Sequence, residues 1–90
     1  MRTAALEKYL EIVNADFTDA EIRGAELDSR LIKPGMIFFA SKGSNTNGNR
    51  FAQASLDSGA AVAVMDDSAL YKEVTGSKIL VKDTIKSIHA

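Results

Sequence analysis

The sequence predicts a small layered α/β domain, with helices packed on a short mixed or parallel sheet. Three observations lead there. Met36–Ala40 and Ala60–Met65 are continuous apolar runs, too short for helices and without polar alternation, which suits strands buried on both faces. Between them lies a stretch of helical spacing, opened by Asn49 and closed by Gly59, so that strand, helix and strand follow one another as in a right-handed βαβ unit. A third strand, expected at Lys78–Val81 with its apolar part at Ile79–Val81, then follows a further short helical segment and continues the same alternation.

In chain order, Leu6, Tyr9, Leu10 and Val13 recur at helical spacing opposite Glu7, Lys8 and Glu11, which predicts an amphipathic helix from about Thr3 to Asn14. Thr18–Glu21 has the letters of a capping box, but Gly24 follows too soon for a helix, so Glu21–Leu27 is expected to be extended. Pro34-Gly35 predicts a type II turn: proline presets φ and glycine accepts the positive φ of the next position. Ser41–Asn49 reads as a loop. Asn49 is then the expected N-cap of a helix whose inner stripe is Phe51, Ala52, Ser55 and Leu56. Asp66 or Asp67 caps a short helix over Asp67–Val74, closed by Gly76. Asp83 is expected to open one more helix, with Ile85 and Ile88 as its inner face. The chain stops soon after, which predicts a piece of a longer protein.

Ninety residues are enough for one domain and one core. Eleven basic and twelve acidic residues give a net charge of −1 without a basic stripe, which argues against nucleic-acid binding. The longest apolar stretch, Gly59–Met65, is too short to insert across a membrane. There is no cysteine, so disulfides and thiolate metal sites are excluded. A cytoplasmic location fits this composition.

Few residues carry evident chemistry. The loop Lys42–Asn49 (KGSNTNGN) offers backbone N–H groups, a lysine and side-chain amides to a phosphate or a base. Asparagine and glycine are also simply what turns favour, and composition alone prefers that reading. Asp28-Ser29-Arg30 sets a carboxylate, a hydroxyl and a guanidinium side by side, either as a binding cluster or as a turn-closing acid with a surface ion pair. His89 is the only histidine, so a nucleophilic triad or a histidine metal site lacks parts. Asp66-Asp67 suits helix capping better than Mg²⁺ binding, and Phe38-Phe39 suits a core. No GxxxxGK[ST] and no GxGxxG spacing occurs.

Taken together, Leu27-Asp28-Ser29-Arg30, Lys33-Pro34-Gly35, Phe38-Phe39-Ala40, Lys42-Gly43, Asn47-Gly48-Asn49, Phe51 and Gly59-Ala60 form an ordered set. It resembles the N-terminal domain of the Mur ligases that add the third and later residues of the peptidoglycan stem peptide, whose pattern runs DSR, PGxxFxAxKG, DGHxF and AxxxGA. The resemblance covers about Ile22 to Asp66 and weakens toward Ala90. Asn47 and Asn49 stand where the family usually has aspartate and histidine, Ser41 where it has leucine and Ser55 where it has alanine.

The resemblance implies a domain that binds the uridine diphosphate end of a UDP-N-acetylmuramoyl-peptide. It places nucleotide contacts at Leu27, Ser29, Ser44, Asn45 and Thr46, with Arg30, Lys42 and Asn47 as further candidates. A serine hydroxyl and loop N–H groups can pair with uracil's polar edge while Leu27 meets its ring. No catalytic residue, metal ligand or cofactor is expected within the chain. ATP and Mg²⁺ would belong to the absent domains, and the partner would be a central ligase domain. Within the family, Asn47-Gly48-Asn49, Phe51-Ala52 and Ala61–Asp66, and the lack of an Arg-Ala-Leu signature near Asp83–Ile88, lean toward the enzymes that add D-alanyl-D-alanine. The enzymes that add the third residue, a stand-alone module that has lost nucleotide binding, and a non-catalytic protein-interaction module on the same fold are the alternatives.

Overall fold

The three apolar runs become adjacent central strands of one five-stranded sheet. The computed structural model describes residues 1–41 and 47–84. The strands are β1 (Ile12–Asp16), β2 (Gly24–Glu26), β3 (Met36–Phe39), β4 (Val62–Met65) and β5 (Lys78–Val81), in the spatial order β1-β5-β4-β3-β2. β2, β3, β4 and β5 pair in parallel, whereas β1 lies antiparallel on β5, so the sheet is mixed. Ile37, Phe38 and Phe39 stand opposite Val62, Ala63 and Val64.

Alternation across the pleat divides these strands between two cores. Phe38, Ala63, Met65 and Leu80 point to one face, where they pack with Ala52 of α1 (Ala52–Asp57) and with Tyr71 of α2 (Ser68–Glu73). Ile37, Val62, Val64, Ile79 and Val81 point to the other, under Leu6 and the partly buried Leu10, Ile12, Phe17 and Ile22. Successive right-handed crossovers that always step toward β5 put α1 and α2 on the same face. The opposite face is left to the N-terminal segment. This two-sided burial is why β4 reads as an unbroken apolar run, all four residues being buried.

The turn before β3 forms as Pro34-Gly35 predicts. Met36 N–H donates to Lys33 O at 3.2 Å, and Gly35 has φ +86°. A Cβ there would also meet the Arg23 side chain at 3.1 Å. Asp67 caps α2, its carboxylate accepting from the N–H groups of Ala69 and Leu70.

The N-terminal helix departs from expectation. Only Thr3–Lys8 is helical, as a 3-10 segment, and Ile12–Asp16 is strand β1. Tyr9 and Val13, two of the four positions in the predicted stripe, are 63% exposed. Backbone pairing of β1 with the edge of β5 takes this segment, because a short lone helix has little stability of its own to oppose it. The N-terminus is fixed by Thr3 N–H donating to Ala20 O, and by Asp19, which accepts from Ala4 N–H and pairs with Arg2 at 2.9 Å. These contacts hold the Asp19 carboxyl below its ordinary range, the Ala4 N–H contributing most.

The helix between β3 and β4 also begins differently. A 3-10 turn at Gly48–Phe51 precedes α1, and its cap is Asn47 rather than Asn49. Of the predicted inner stripe, Ala52 and Ser55 are buried and Leu56 packs on the core, but Phe51 faces outward. The helix expected after Asp83, with Ile85 and Ile88, and the terminal His89 lie outside the described residues.

Candidate functional site

Parallel pairing gathers the C-terminal ends of β2, β3, β4 and β5 on one rim of the sheet. Open α/β sheets bind ligands outside that rim, where the loops are free to vary over a fixed scaffold. Here the rim carries Leu27–Leu31 after β2, Ala40, Ser41 and Asn47–Phe51 after β3, Asp66-Asp67 after β4 and Lys82–Thr84 after β5.

Between the first two of these lies an open groove of about 640 Å³. Leu27, Asp28, Ser29 and Arg30 form one side, Ser41, Gly48 and Phe51 come from the segments around the next loop, and Phe38 and Phe39 contribute from β3. The β2 side is built by short-range bonds. Glu26 Oε1 accepts from the N–H groups of Leu27 at 3.0 Å and Asp28 at 3.1 Å. Asp28 then caps the 3-10 turn Ser29–Leu31 through Arg30 N–H at 2.9 Å, and its two oxygens accept from the Arg30 guanidinium at 3.0 and 2.7 Å. Those bonds, the guanidinium first and the backbone N–H second, hold the Asp28 carboxyl down at about 2. The turn and surface-pair reading of Asp28 and Arg30 is therefore correct as local structure. It also leaves Leu27 57% exposed, and the Ser29 hydroxyl without a partner among the described residues.

The other side rests on a polar hub. Asn49 is only 1% exposed. Its Nδ2 donates to Asn47 Oδ1 and to Asp66 Oδ1, each at 2.8 Å. Its Oδ1 accepts from the N–H groups of Asp66 at 3.0 Å and Asp67 at 3.3 Å. Asn47 Nδ2 donates to Asp67 Oδ2 at 2.8 Å, and Asp66 Oδ2 accepts from Thr84 N–H at 3.2 Å. The hub thus ties together the segments that follow β3, β4 and β5. Gly48 closes the loop's base by donating its N–H to Ser41 O at 2.7 Å, and a Cβ at Gly48 would sit 3.0 Å from that same oxygen.

Of the residues expected to contact a nucleotide, Leu27, Ser29 and Arg30 are brought together on the groove. Lys42, Ser44, Asn45 and Thr46 lie outside the described residues, but Ser41 and Gly48, which bracket them closely, both line it. Asn47 is engaged in the hub and does not line the groove. Two residues were misjudged from sequence: Phe51, read as core, is on the groove, and Asn49, read as a cap, is the buried centre of the hub. Spacing alone holds no signal for either, since both depend on what the rest of the chain packs against. Among the described residues no group of three or more His, Cys, Asp or Glu side chains is placed to hold a metal ion. None of the described helices is long and apolar enough to cross a membrane.

The architecture is an open α/β sheet with a groove across the C-terminal ends of two parallel strands, the position at which sheets of this kind bind ligands. Residues 21–89 match the family described as Mur ligase family, catalytic domain, and the chain belongs to the Mur ligase family. Its relatives include a UDP-N-acetylmuramoyl-L-alanyl-D-glutamate--2,6-diaminopimelate ligase of Phocaeicola vulgatus, 40% identical over 80 residues, covering 82% of this chain and 16% of the relative. The ligase of the same description from Bradyrhizobium diazoefficiens is 49% identical over 49 residues, covering 54% of this chain and 10% of the relative. A UDP-N-acetylmuramyl-tripeptide synthetase of Roseiflexus sp. is 36% identical over 70 residues, covering 77% and 14%. Among solved structures, MurF from Acinetobacter baumannii matches with a TM-score of 0.60 and 25% identity over 79% of this chain and 15% of that one. The chain thus spans about one sixth or less of the length of these proteins.

Proposed function

We propose that the groove binds the uridine diphosphate end of a UDP-N-acetylmuramoyl-peptide, and that the chain is the N-terminal substrate-binding domain of a ligase in peptidoglycan precursor synthesis. The observation that carries this reading is the convergence of Leu27 and Ser29 with Ser41 and Gly48 on one groove at the ends of β2 and β3. Leu27 offers an apolar surface to the base and Ser29 an unengaged hydroxyl to its polar edge. Arg30 keeps guanidinium N–H groups beyond the two that meet Asp28, and these suit a diphosphate. The family resemblance adds Ser44, Asn45 and Thr46 to the proposed nucleotide contacts, with Lys42 as a further candidate. ATP and Mg²⁺ would belong to a central domain of such a ligase. The reaction would be cytoplasmic.

For the residue added, the diaminopimelate-ligase relatives support the third stem-peptide position over D-alanyl-D-alanine. The D-alanyl-D-alanine reading keeps the local flavour of Asn47-Gly48-Asn49 and the structural likeness to MurF. Assaying a full-length ligase that carries this domain with diaminopimelate and with D-alanyl-D-alanine separates the two.

The binding reading is tested by titrating the 90-residue chain with UDP and UDP-N-acetylmuramoyl-peptides, followed by amide chemical shifts. Shifts clustered at Leu27–Arg30 and Ser41–Gly48, weakened by Ser29→Ala in a chain of unchanged melting temperature, are expected. Shifts elsewhere, or a Ser29→Ala chain that melts, overturn the assignment.

A further inference from the structure

We infer that Phe51 is a base-stacking residue of this groove, which deepens the uridine diphosphate reading and rests on it. Among the described residues six large hydrophobic side chains are exposed, and two of them, Leu27 at 57% and Phe51 at 42%, line the same groove. They come from segments on different strands' ends, Leu27 following β2 and Phe51 closing the 3-10 turn that leads into α1. The packing of α1 does not account for the phenyl ring. Ala52 and Ser55, the residues that seat the helix on the sheet, are fully buried, and Leu56 packs beside them. An aromatic side chain left open beside an unengaged hydroxyl and a guanidinium provides the three surfaces a nucleotide requires: a flat apolar face, a hydrogen-bonding edge and a positive charge.

The division of labour follows from the chemistry. Every base presents a π-face, so a phenyl ring adds affinity without choosing the base. Choice falls to groups that meet the polar edge, Ser29 and the neighbouring backbone. Phe51 therefore acts on the base alone and leaves the diphosphate untouched.

Ligand-observed NMR with uridine, UDP and inorganic pyrophosphate tests this on the wild-type chain and on Phe51→Ala, Phe51→Leu and Phe51→Tyr. In the wild type and in Phe51→Tyr, the uracil H5 and H6 resonances are expected to move upfield under the aromatic ring. Phe51→Ala is expected to raise the dissociation constants of uridine and UDP by about 5- to 150-fold, the range of one base–aromatic stack. Pyrophosphate binding should be the same in all four chains. Phe51→Leu keeps most of the side-chain bulk, so a folded Phe51→Leu chain that loses both the upfield shifts and uridine affinity supports the proposal even if Phe51→Ala is unstable. If the wild type binds UDP and Phe51→Leu binds it equally well, stacking is overturned while the nucleotide reading stands. Equal losses for pyrophosphate and uridine overturn it too, since Phe51 would then only shape the groove. If the wild type binds neither uridine nor UDP at millimolar concentration, both readings fall.

Discussion

Asn49 and Ser29 are both small polar residues in turns at the end of a parallel strand, yet their surroundings make them opposites. The Asn49 amide has two donors and two acceptor positions, and all four are filled from within the chain. The Ser29 hydroxyl has no partner among the described residues, and its neighbour Arg30 has a side chain 86% exposed. One cluster has spent its hydrogen-bonding capacity on holding three loops together. The other keeps capacity for something that arrives. Polarity at a sheet rim therefore marks a site only where burial has not already saturated it.

The sharpest way to break this contrast is at the hub. Asn49→Ala would remove the bonds that Asn49 makes to the Asp66 N–H, the Asp67 N–H and one Asp66 carboxylate oxygen, and we expect a loss of about 2–4 kcal/mol. Denaturant unfolding should show a lower midpoint with an unchanged slope. A loss below about 0.5 kcal/mol, ordinary for a surface change, would falsify the hub's structural role.

Gly48→Ala probes the join between hub and groove. Its Cβ would crowd Ser41 O at 3.0 Å, so the loop base must shift, with an expected destabilisation of about 1–2 kcal/mol. UDP affinity should fall with it, because Ser41 and Gly48 both line the groove. Loss of stability with intact affinity would separate the two regions.

Ser29→Ala should do the reverse. Stability is expected to stay within about 0.5 kcal/mol, as for an unpaired surface hydroxyl. UDP binding should weaken by about 2- to 12-fold, the value of one net hydrogen bond.

The smallest effect is the response of the Asp28–Arg30 pair to acid. The Asp28 carboxyl is lowered from 3.8 to about 2 in the folded chain, so its stabilising contribution is complete above about pH 4 and fades as pH falls toward 2. Arg30 stands in solvent and Asp28 is only partly covered, so the change in global stability should be slight. Its mark is a carboxyl carbon titration midpoint near 2 in the wild type, returning toward 3.8 in Arg30→Ala. An unshifted midpoint in the wild type would show that the groove's β2 side is not held by this pair.

Much of the scaffold was legible because it is local. Pro34-Gly35 makes its turn wherever it is placed, and β3, β4 and β5 stand where their apolar runs stand. Asp67 caps α2 as aspartates before helices do. β1 was not legible: Ile12 alone is partly buried, the next four residues are exposed, and the ladder with β5 is made by backbone, which leaves no side-chain pattern. β2 falls inside the stretch expected to be extended, Glu21–Leu27, although its three residues are too few to show alternation. On the rim, Leu27, Ser29 and Arg30 were found by residue type and order. Asn49 and Phe51 were placed wrongly because their roles differ from those of the same letters in an ordinary helix start.

By itself the sequence determined the α/β class, the parallel βαβ order and the family, since apolar runs, turn residues and an ordered set of short motifs are all written along the chain. Only the tertiary structure decided which polar residues are consumed and which remain available. That choice depends on segments far apart in sequence meeting at one rim: Asn49 is saturated because Asp66 and Asp67 arrive 17 and 18 residues later, and Phe51 comes to line a groove whose other side is the Leu27–Arg30 turn.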